Sequence, residues 1–269
     1  MTLLMQAAAL CDASEEESRQ PPVKGRLEVM QMALGELRLA SAEIKSPGRL
    51  RFGTRPLLRY NDPTRGLLDA AIWRLAEKGR PLALVTLELY ESGPNGETLS
   101  YEFVSLAEDG FEMKSPRGPR WSPKTTELKL VPLSNAPLPA TTGRARLAQF
   151  RKIAQRFSAH EKLEGNAVEC RLLPQPIDRY SDADTGALDG AVFAFANGTN
   201  PEVGLLLECT EKVGSYGAFR LSSAEIVAAL DGKPFFTAEQ VNSLLAPVTA
   251  SYRAARHRLA PGRPLPERK

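Results

Sequence analysis

Residues 59–88 read RYNDPTRGLLDAAIWRLAEKGRPLALVTLE, and residues 179–208 read RYSDADTGALDGAVFAFANGTNPEVGLLLE. The two stretches are versions of one segment, and the match holds without a gap at a separation of 120 positions. Residues 51–88 and 171–208 are identical at 13 of 38 positions. Unrelated stretches of that length would share roughly two or three residues. The chain therefore contains a tandem pair of one structural unit.

Alternating apolar residues predict a β-hairpin in each copy. Trp73 and Leu75 alternate with Arg74, as the buried face of a half-buried strand requires. The second copy has phenylalanines at the equivalent positions, 193 and 195, followed by an Asn-Gly pair that is a strong turn signal. The buried face of the sheet should therefore be the same in both copies.

Apolar residues at helical spacing come before each hairpin, at about residues 24–39 and 143–158. We therefore predict the α+β fold class. The expected architecture has two tandem pseudo-repeats, each an N-terminal helix packed on an antiparallel β-meander, with the element order of helix-grip or cystatin-like domains.

Composition shifts divide the chain into five predicted segments. Proline-rich sequence separates the two copies, and a capping-box pattern at Thr237 and Gln240 predicts a last helix before an arginine-rich end. The segments are a leader or disordered stretch (1–22), the first α+β repeat (23–122), a Pro-rich linker (123–142), the second α+β repeat (143–236), and a C-terminal helix with a basic tail (237–269).

The composition excludes several functional classes. With 42% hydrophobic and 25% charged residues, the 269-residue chain has the composition of a soluble globular protein. A net charge of +3 argues against a nucleic-acid partner, and the sequence has no run of 18 apolar residues that could span a membrane. Two histidines and three cysteines leave little material for a metal site, so we predict neither a metal nor a cofactor.

The N-terminus allows two cellular locations. An apolar run, Thr2 to Leu10, precedes small residues of the kind that signal peptidase prefers, but no Lys or Arg comes before the run. The protein is therefore either exported to an extracytoplasmic compartment or cytoplasmic with a frayed N-terminus. Cys170 and Cys209 correspond to leucines in the first copy, which favours two buried thiols. A disulfide between them remains the alternative in an oxidising compartment.

Polar residues that match between the copies are the candidate site residues. The candidates for ligand binding are Arg59, Tyr60, Asp62, Glu88, Arg179, Tyr180, Asp182 and Glu208. Asp69 and Asp189 are weak candidates for catalysis, because paired carboxylates can serve as acid and base. Each of these residues also has a structural interpretation, since aspartates in turns and arginine–aspartate pairs between strands need no further function.

The second copy carries a sequence resemblance. Its segments LLPQPIDRY (residues 172–180), DGAVFAF (189–195) and GTNPE (198–202) resemble a family of uncharacterised bacterial proteins that often carry signal peptides. The first copy departs from that pattern, with Lys78-Gly79-Arg80 in place of the Gly-Thr-Asn loop. The resemblance implies export and implies no activity.

The sequence contains no Gly-rich phosphate loop, nucleophile elbow, zinc-protease motif or Cys-x-x-Cys. We therefore expect a non-enzymatic module that binds a ligand or a protein partner, at the junction of its two sheets. The alternative is a hydrolase-type enzyme that uses Asp69 or Asp189 with the neighbouring Arg and Tyr, so whether the chain is an enzyme stays open.

Overall fold

A computed structural model describes most of the chain: residues 23–40, 50–91, 97–107, 110–116, 118–163 and 165–259. Strands hold 50% and helices 12% of these described residues. The predicted leader (1–22) and the end of the predicted basic tail (260–269) lie outside the described residues.

The first half of the chain forms one helix and seven strands in its described part. They are α1 (Val23–Glu36), β1 (Arg38–Ala40), β2 (Leu58–Asp62), β3 (Leu67–Leu75), β4 (Ala83–Glu91), β5 (Glu97–Ser105), β6 (Glu112–Lys114) and β7 (Arg120–Trp121). Met30 and Leu34 of α1 share a core cluster with Trp73, Val85 and Leu87. The alternating residues of β3 and β4 therefore face the helix, as their period of two requires.

The remaining described residues form one helix and ten strands. They are β8 (Val131–Pro132), α2 (Gly143–Ala154), β9 (Phe157–Leu163), β10 (Asn166–Leu172), β11 (Asp178–Asp182), β12 (Ala187–Asn197), β13 (Asn200–Cys209), β14 (Gly214–Arg220), β15 (Glu225–Leu230), β16 (Lys233–Ala238) and β17 (Tyr252–Arg258). Thr142 caps α2, because its hydroxyl accepts a hydrogen bond from the Ala145 amide at 3.2 Å. Phe150 and Ala154 of α2 pack on Phe193 and Leu205.

In the described part of the chain, the strands form three antiparallel sheets. A five-stranded sheet has the order β17-β5-β4-β3-β2, and a small sheet has the order β1-β6-β7. The largest sheet has nine strands: eight follow the order β16-β15-β9-β10-β12-β13-β14-β8, and β11 pairs with β12.

The repeated segment has the same strand order and register in both halves. Tyr60 lies opposite Ala70, and Tyr180 lies opposite Gly190. The register shifts immediately after each tyrosine. The duplication seen in the sequence is therefore a duplication of strand pairing, from β2 to β5 and from β11 to β14.

The two large sheets pack face to face. Ile72 and Leu84 of the first half belong to one buried cluster with Val192, Ala194 and Leu206 of the second half. Each of these leucine, isoleucine and valine side chains stabilises the fold by about 1.5–3 kcal/mol relative to an exposed position. The junction of the two copies therefore contains an apolar interface, and the buried Arg74–Asp178 ion pair also joins the copies.

The predicted α+β fold class is wrong. The protein is mainly β, and its second half is a curled nine-stranded sheet rather than a short meander under a helix. The predicted second helix ran to residue 158, but α2 ends at Ala154 and Phe157 begins β9. Phe157 lies in the same core cluster as Phe150. Its spacing from Phe150 therefore fitted a helix, although Phe157 belongs to the strand that follows α2.

The predicted C-terminal helix is also wrong. Thr237 lies in β16, and β17 pairs with β5 of the first half. Seven residue pairs join β17 to β5, from Tyr252 opposite Val104 to Arg258 opposite Thr98. The predicted linker contributes β8, which pairs with β14. Strands from outside each predicted repeat complete both large sheets. The limits of the five predicted segments stay predictions.

Cys170 and Cys209 are buried, free thiols. Cys209 lies opposite Asp189 on β12, whereas Arg171, next to Cys170, lies opposite Ala196. On β12, Asp189 and Ala196 are seven residues apart, which is about 23 Å at roughly 3.3 Å per residue. That distance is far beyond the reach of a disulfide.

Candidate functional site

The candidate arginines and catalytic aspartates form ion pairs between adjacent strands. Arg59 donates to the Asp69 carboxylate at 2.9 and 2.5 Å, and Arg179 donates to Asp189 at 3.0 and 2.6 Å. Arg146 of α2 donates a further bond to Asp189 at 2.8 Å. Such two-pronged arginine–carboxylate pairs fix strand geometry. Both aspartates are therefore engaged by guanidinium groups.

Asp62 and Asp182 stabilise equivalent turns. The Asp62 carboxylate accepts a hydrogen bond from the Thr64 amide at 3.2 Å, and the Asp182 carboxylate accepts one from the Asp184 amide at 3.0 Å. These are Asx-type turns, in agreement with the structural interpretation of these aspartates in the sequence.

The second copy contains what we call the Glu208 recess, formed by Tyr180, Glu208 and Arg80. The Tyr180 hydroxyl donates to Glu208 at 2.8 Å. Arg80 extends from the β3–β4 hairpin of the first copy and donates to Glu208 at 2.8 and 2.5 Å. The Tyr180 ring lies on Gly190, where an added Cβ would be 2.3 Å from the ring. The glycine therefore leaves room for the Tyr180 ring at the position where it lies.

The first copy contains the equivalent Glu88 recess, formed by Tyr60, Tyr90 and Glu88. The Tyr60 and Tyr90 hydroxyls donate to Glu88 at 3.2 and 3.0 Å. The opposing hairpin position, equivalent to Arg80, is Asn200, which donates to Glu202 at 2.9 Å instead. The two recesses therefore share a Tyr–Glu hydrogen bond and differ in the residue that the opposite hairpin presents.

The Glu88 recess opens into a cavity of about 160 Å³, which we call the acidic cavity. Its charged lining consists of Glu88, Glu102, Glu161, Glu202, Arg65 and Arg256, and serines supply much of the remaining polar lining. Four carboxylates face two guanidinium groups, so two negative charges are uncompensated when all six groups are ionised.

Glu202 is the most deeply buried of these carboxylates, with an exposed fraction of 0%. Its Oε1 accepts from Arg65 at 3.3 Å and from Asn200. Its Oε2 is buried and has no hydrogen-bond partner among the described residues. An unsatisfied buried carboxylate oxygen is costly, so this atom requires an explanation.

Burial raises the pKa values of three cavity carboxylates. The pKa of Glu202 rises to about 7, first because of burial and then because of Glu161, while the Ser222 hydroxyl and Arg65 act against the increase. Burial and the neighbouring Glu88 hold the pKa of Glu102 well above its usual value. Burial also raises the pKa of Glu88, against the hydrogen bonds from Tyr90 and Tyr60. The cavity therefore holds carboxylates that resist ionisation without a compensating cation.

A second, more open groove of about 680 Å³ lies between β14 and β16, with Tyr216, Phe235 and Phe236 in its lining. Arg220 is in the same lining and is held by Glu127 at 3.3 Å and by the Glu239 carbonyl at 2.8 Å. Its guanidinium lies 5.3 Å from the centre of the Tyr252 ring. The groove therefore presents an apolar wall and an arginine that already has partners.

The structure brings together part of the predicted site. Of the ten predicted residues, Glu88 lines the acidic cavity and Tyr60 contacts Glu88. Sequence reasoning missed Glu102, Glu161, Glu202, Arg65 and Arg256, because it selected positions that match between the copies. Glu202 corresponds to Leu82, so the useful signal was a difference between the copies.

Within the described ranges, no group of three or more His, Cys, Asp or Glu residues is arranged to hold a metal ion. No helix in the described part of the chain is long and apolar enough to cross a membrane. Comparisons with protein-family models, curated proteins and solved structures gave no match for this chain.

Proposed function

We propose that the protein is a non-enzymatic binding module that takes a cationic group of its ligand into the acidic cavity between its two copies. The observation that carries this proposal is the buried Oε2 of Glu202, which lacks a hydrogen-bond partner among the described residues and belongs to a cavity-lining residue. A cation at this point would compensate a charge that the fold leaves buried.

The size and charge of the cavity support the same proposal. Its volume of about 160 Å³ is close to the roughly 150 Å³ of an engineered protein cavity that binds benzene. A small organic cation therefore fits. Burial of Glu88, Glu161 and Glu202 away from bulk water strengthens their attraction for that cation.

The alternative, a hydrolase that uses Asp69 or Asp189, has less support from the geometry. Both carboxylates are held by arginine side chains, and neither lines the acidic cavity. A general base must be within hydrogen-bond reach of the proton that it removes. The ion pairs favour a structural role for both aspartates.

Calorimetric titration of the 269-residue chain with methylammonium, methylguanidinium and acetate, at constant ionic strength, tests the proposal. We expect at least one of the two cations to bind and acetate not to bind. Replacing Glu202→Gln should weaken cation binding at least tenfold. The matched control is Glu169→Gln, which removes one charge from an exposed position outside the cavity. Absence of cation binding, or equal binding by the Glu202→Gln variant, would overturn the proposal.

A further inference from the structure

The Glu208 recess shows what a Tyr–Glu pair of this fold accepts. Arg80 places its guanidinium against Glu208 with two hydrogen bonds, while its backbone amide donates to Asp182 at 2.8 Å. The hydrogen bond to Glu208 raises the pKa of Arg80, so the guanidinium is firmly charged there. In this recess, the protein fills the space beside the glutamate with its own arginine.

The Glu88 recess has the same frame. Glu88 lies opposite Ser100 in the β4–β5 ladder, and Glu208 lies opposite Ser215 in the β13–β14 ladder. Each recess also faces the hairpin of the other copy, since Arg80 contacts Glu208 and Asn200 lines the cavity with Glu88. The contacts between hairpins and turns are reciprocal as well, because the Thr199 hydroxyl donates to the Asn61 carbonyl.

We infer that the cationic group that the acidic cavity takes is a guanidinium, bound by Glu88 as Glu208 binds Arg80. This inference rests on the proposed function and names its ligand class. The guanidinium belongs either to an arginine side chain of a polypeptide or to a small alkylguanidine.

The lining of the cavity suits a guanidinium better than an ammonium. A guanidinium is planar and presents five N–H donors in a fixed fork that matches carboxylates, whereas an ammonium is a compact point charge with three donors. Glu88 and Glu202 both line the cavity, and the buried Oε2 of Glu202 has no hydrogen-bond partner among the described residues. The fork can therefore reach more than one acceptor at once.

The position of Asn200 explains why the cavity exists. Asn200 is shorter than arginine, and its amide is directed to Glu202 rather than to Glu88. A tyrosine, Tyr90, supplies the second hydrogen bond to Glu88, where the equivalent residue of the second copy is Thr210. The first copy thus keeps the carboxylate in place without an arginine from the opposite hairpin.

The decisive experiment compares methylguanidinium with methylammonium by calorimetry, on the parent chain and on the Glu202→Gln variant. We expect methylguanidinium to bind at least tenfold more tightly, and Glu202→Gln to weaken its binding at least tenfold. Equal affinities, or tighter methylammonium binding, would overturn the guanidinium inference and leave cation binding intact. Binding of neither cation would overturn the proposed function as well.

A second variant tests the equivalence of the two recesses. Asn200→Arg should supply the Glu88 recess with an internal guanidinium and reduce methylguanidinium binding at least tenfold. The control is Asn166→Arg, the same replacement at an exposed position outside the cavity, which should keep the parent affinity. Undiminished binding by Asn200→Arg, measured on a variant that melts like the parent, would contradict the inference.

A third titration, with N-acetyl-arginine methylamide, distinguishes the two sources of the guanidinium. Affinity at or above that of methylguanidinium identifies an arginine within a polypeptide. Affinity at least tenfold lower identifies a small alkylguanidine, because the peptide backbone is then excluded from the cavity mouth.

Discussion

The Glu208 and Glu88 recesses are equivalent parts of one duplicated unit, and they differ in the residue that the opposite hairpin presents, Arg80 or Asn200. In one, Arg80 joins the two copies through a two-pronged bond to Glu208. In the other, Asn200 turns to Glu202 and the space beside Glu88 is a cavity. The same Tyr–Glu frame can therefore hold an arginine of the interface or border a cavity, depending on which residue the opposite copy presents.

The largest effect on stability should follow Arg80→Ala. Glu208 would then be buried without its cation, and breaking such a pair costs about 3 kcal/mol when one partner keeps some exposure. The Arg80 side chain is 26% exposed and that of Glu208 is 7% exposed. Urea denaturation measures the change, and the exposed Arg55→Ala is the control. A loss below about 0.5 kcal/mol would show that the Glu208 recess does not hold the copies together.

The next effect concerns Glu202 and pH. Its pKa is about 7 in the folded protein against a usual value of 4.5, so the folded state binds more protons than the unfolded state between these pH values. Glu202 alone should therefore lower stability by about 2.5 kcal/mol as pH rises from 4.5 to 7, and Glu202→Gln should remove that part of the decline. Denaturation curves at pH 5, 6 and 7 measure it, and equal slopes for parent and variant would contradict the expectation.

A smaller effect is expected in ligand affinity. A carboxylate with a pKa of about 7 changes from roughly one-tenth ionised at pH 6 to roughly nine-tenths ionised at pH 8. Only the ionised form compensates a cation, so methylguanidinium affinity should rise about tenfold over this range, or about 1.4 kcal/mol. Calorimetry at the two pH values measures the ratio. An affinity that stays constant, or that falls as pH rises, would show that ionisation of Glu202 does not control cation binding in the cavity.

The smallest effect should follow Tyr180→Phe. This change removes a 2.8 Å hydrogen bond to Glu208 but leaves Arg80 in place, so stability should fall by about 1 kcal/mol. Methylguanidinium affinity should not change, because Tyr180 belongs to the other recess. Parallel denaturation and titration test both statements, and a weakened affinity would mean that the two recesses are coupled.

The duplicated strands were readable from the sequence because period-two alternation and turn residues are local signals. Trp73 and Phe193 were both expected on inward faces, and both lie in helix-facing cores. The fold class was not readable, because the local hairpins β9–β10 and β15–β16 are joined into one sheet only by the pairing of β9 with the distant strand β15. Phe157 shows the difficulty. Its spacing from Phe150 fits a helix, but Phe157 lies in strand β9 and packs in the same core.

The candidate site was only partly predictable for a related reason. Identity between copies selected Arg59, Asp62 and Asp69, which maintain shared turns and strand pairs. The cavity depends instead on Glu202 and Asn200, where the copies differ. Glu161 joins the cavity from β9, which lies outside the aligned segment. A search for buried charges at unmatched positions would have come closer to the site.

Strand β17 has a consequence for how the protein is made. The β5 edge of the first sheet is completed only when residues 252–258 have been synthesised. About 150 residues separate the end of β5 from the end of β17, so at roughly 5–20 residues per second the nascent sheet waits roughly 8–30 s with an open edge. During that interval an uncapped strand can pair with another chain. Ribosome-bound intermediates of this protein are therefore the stage at which aggregation is most to be expected.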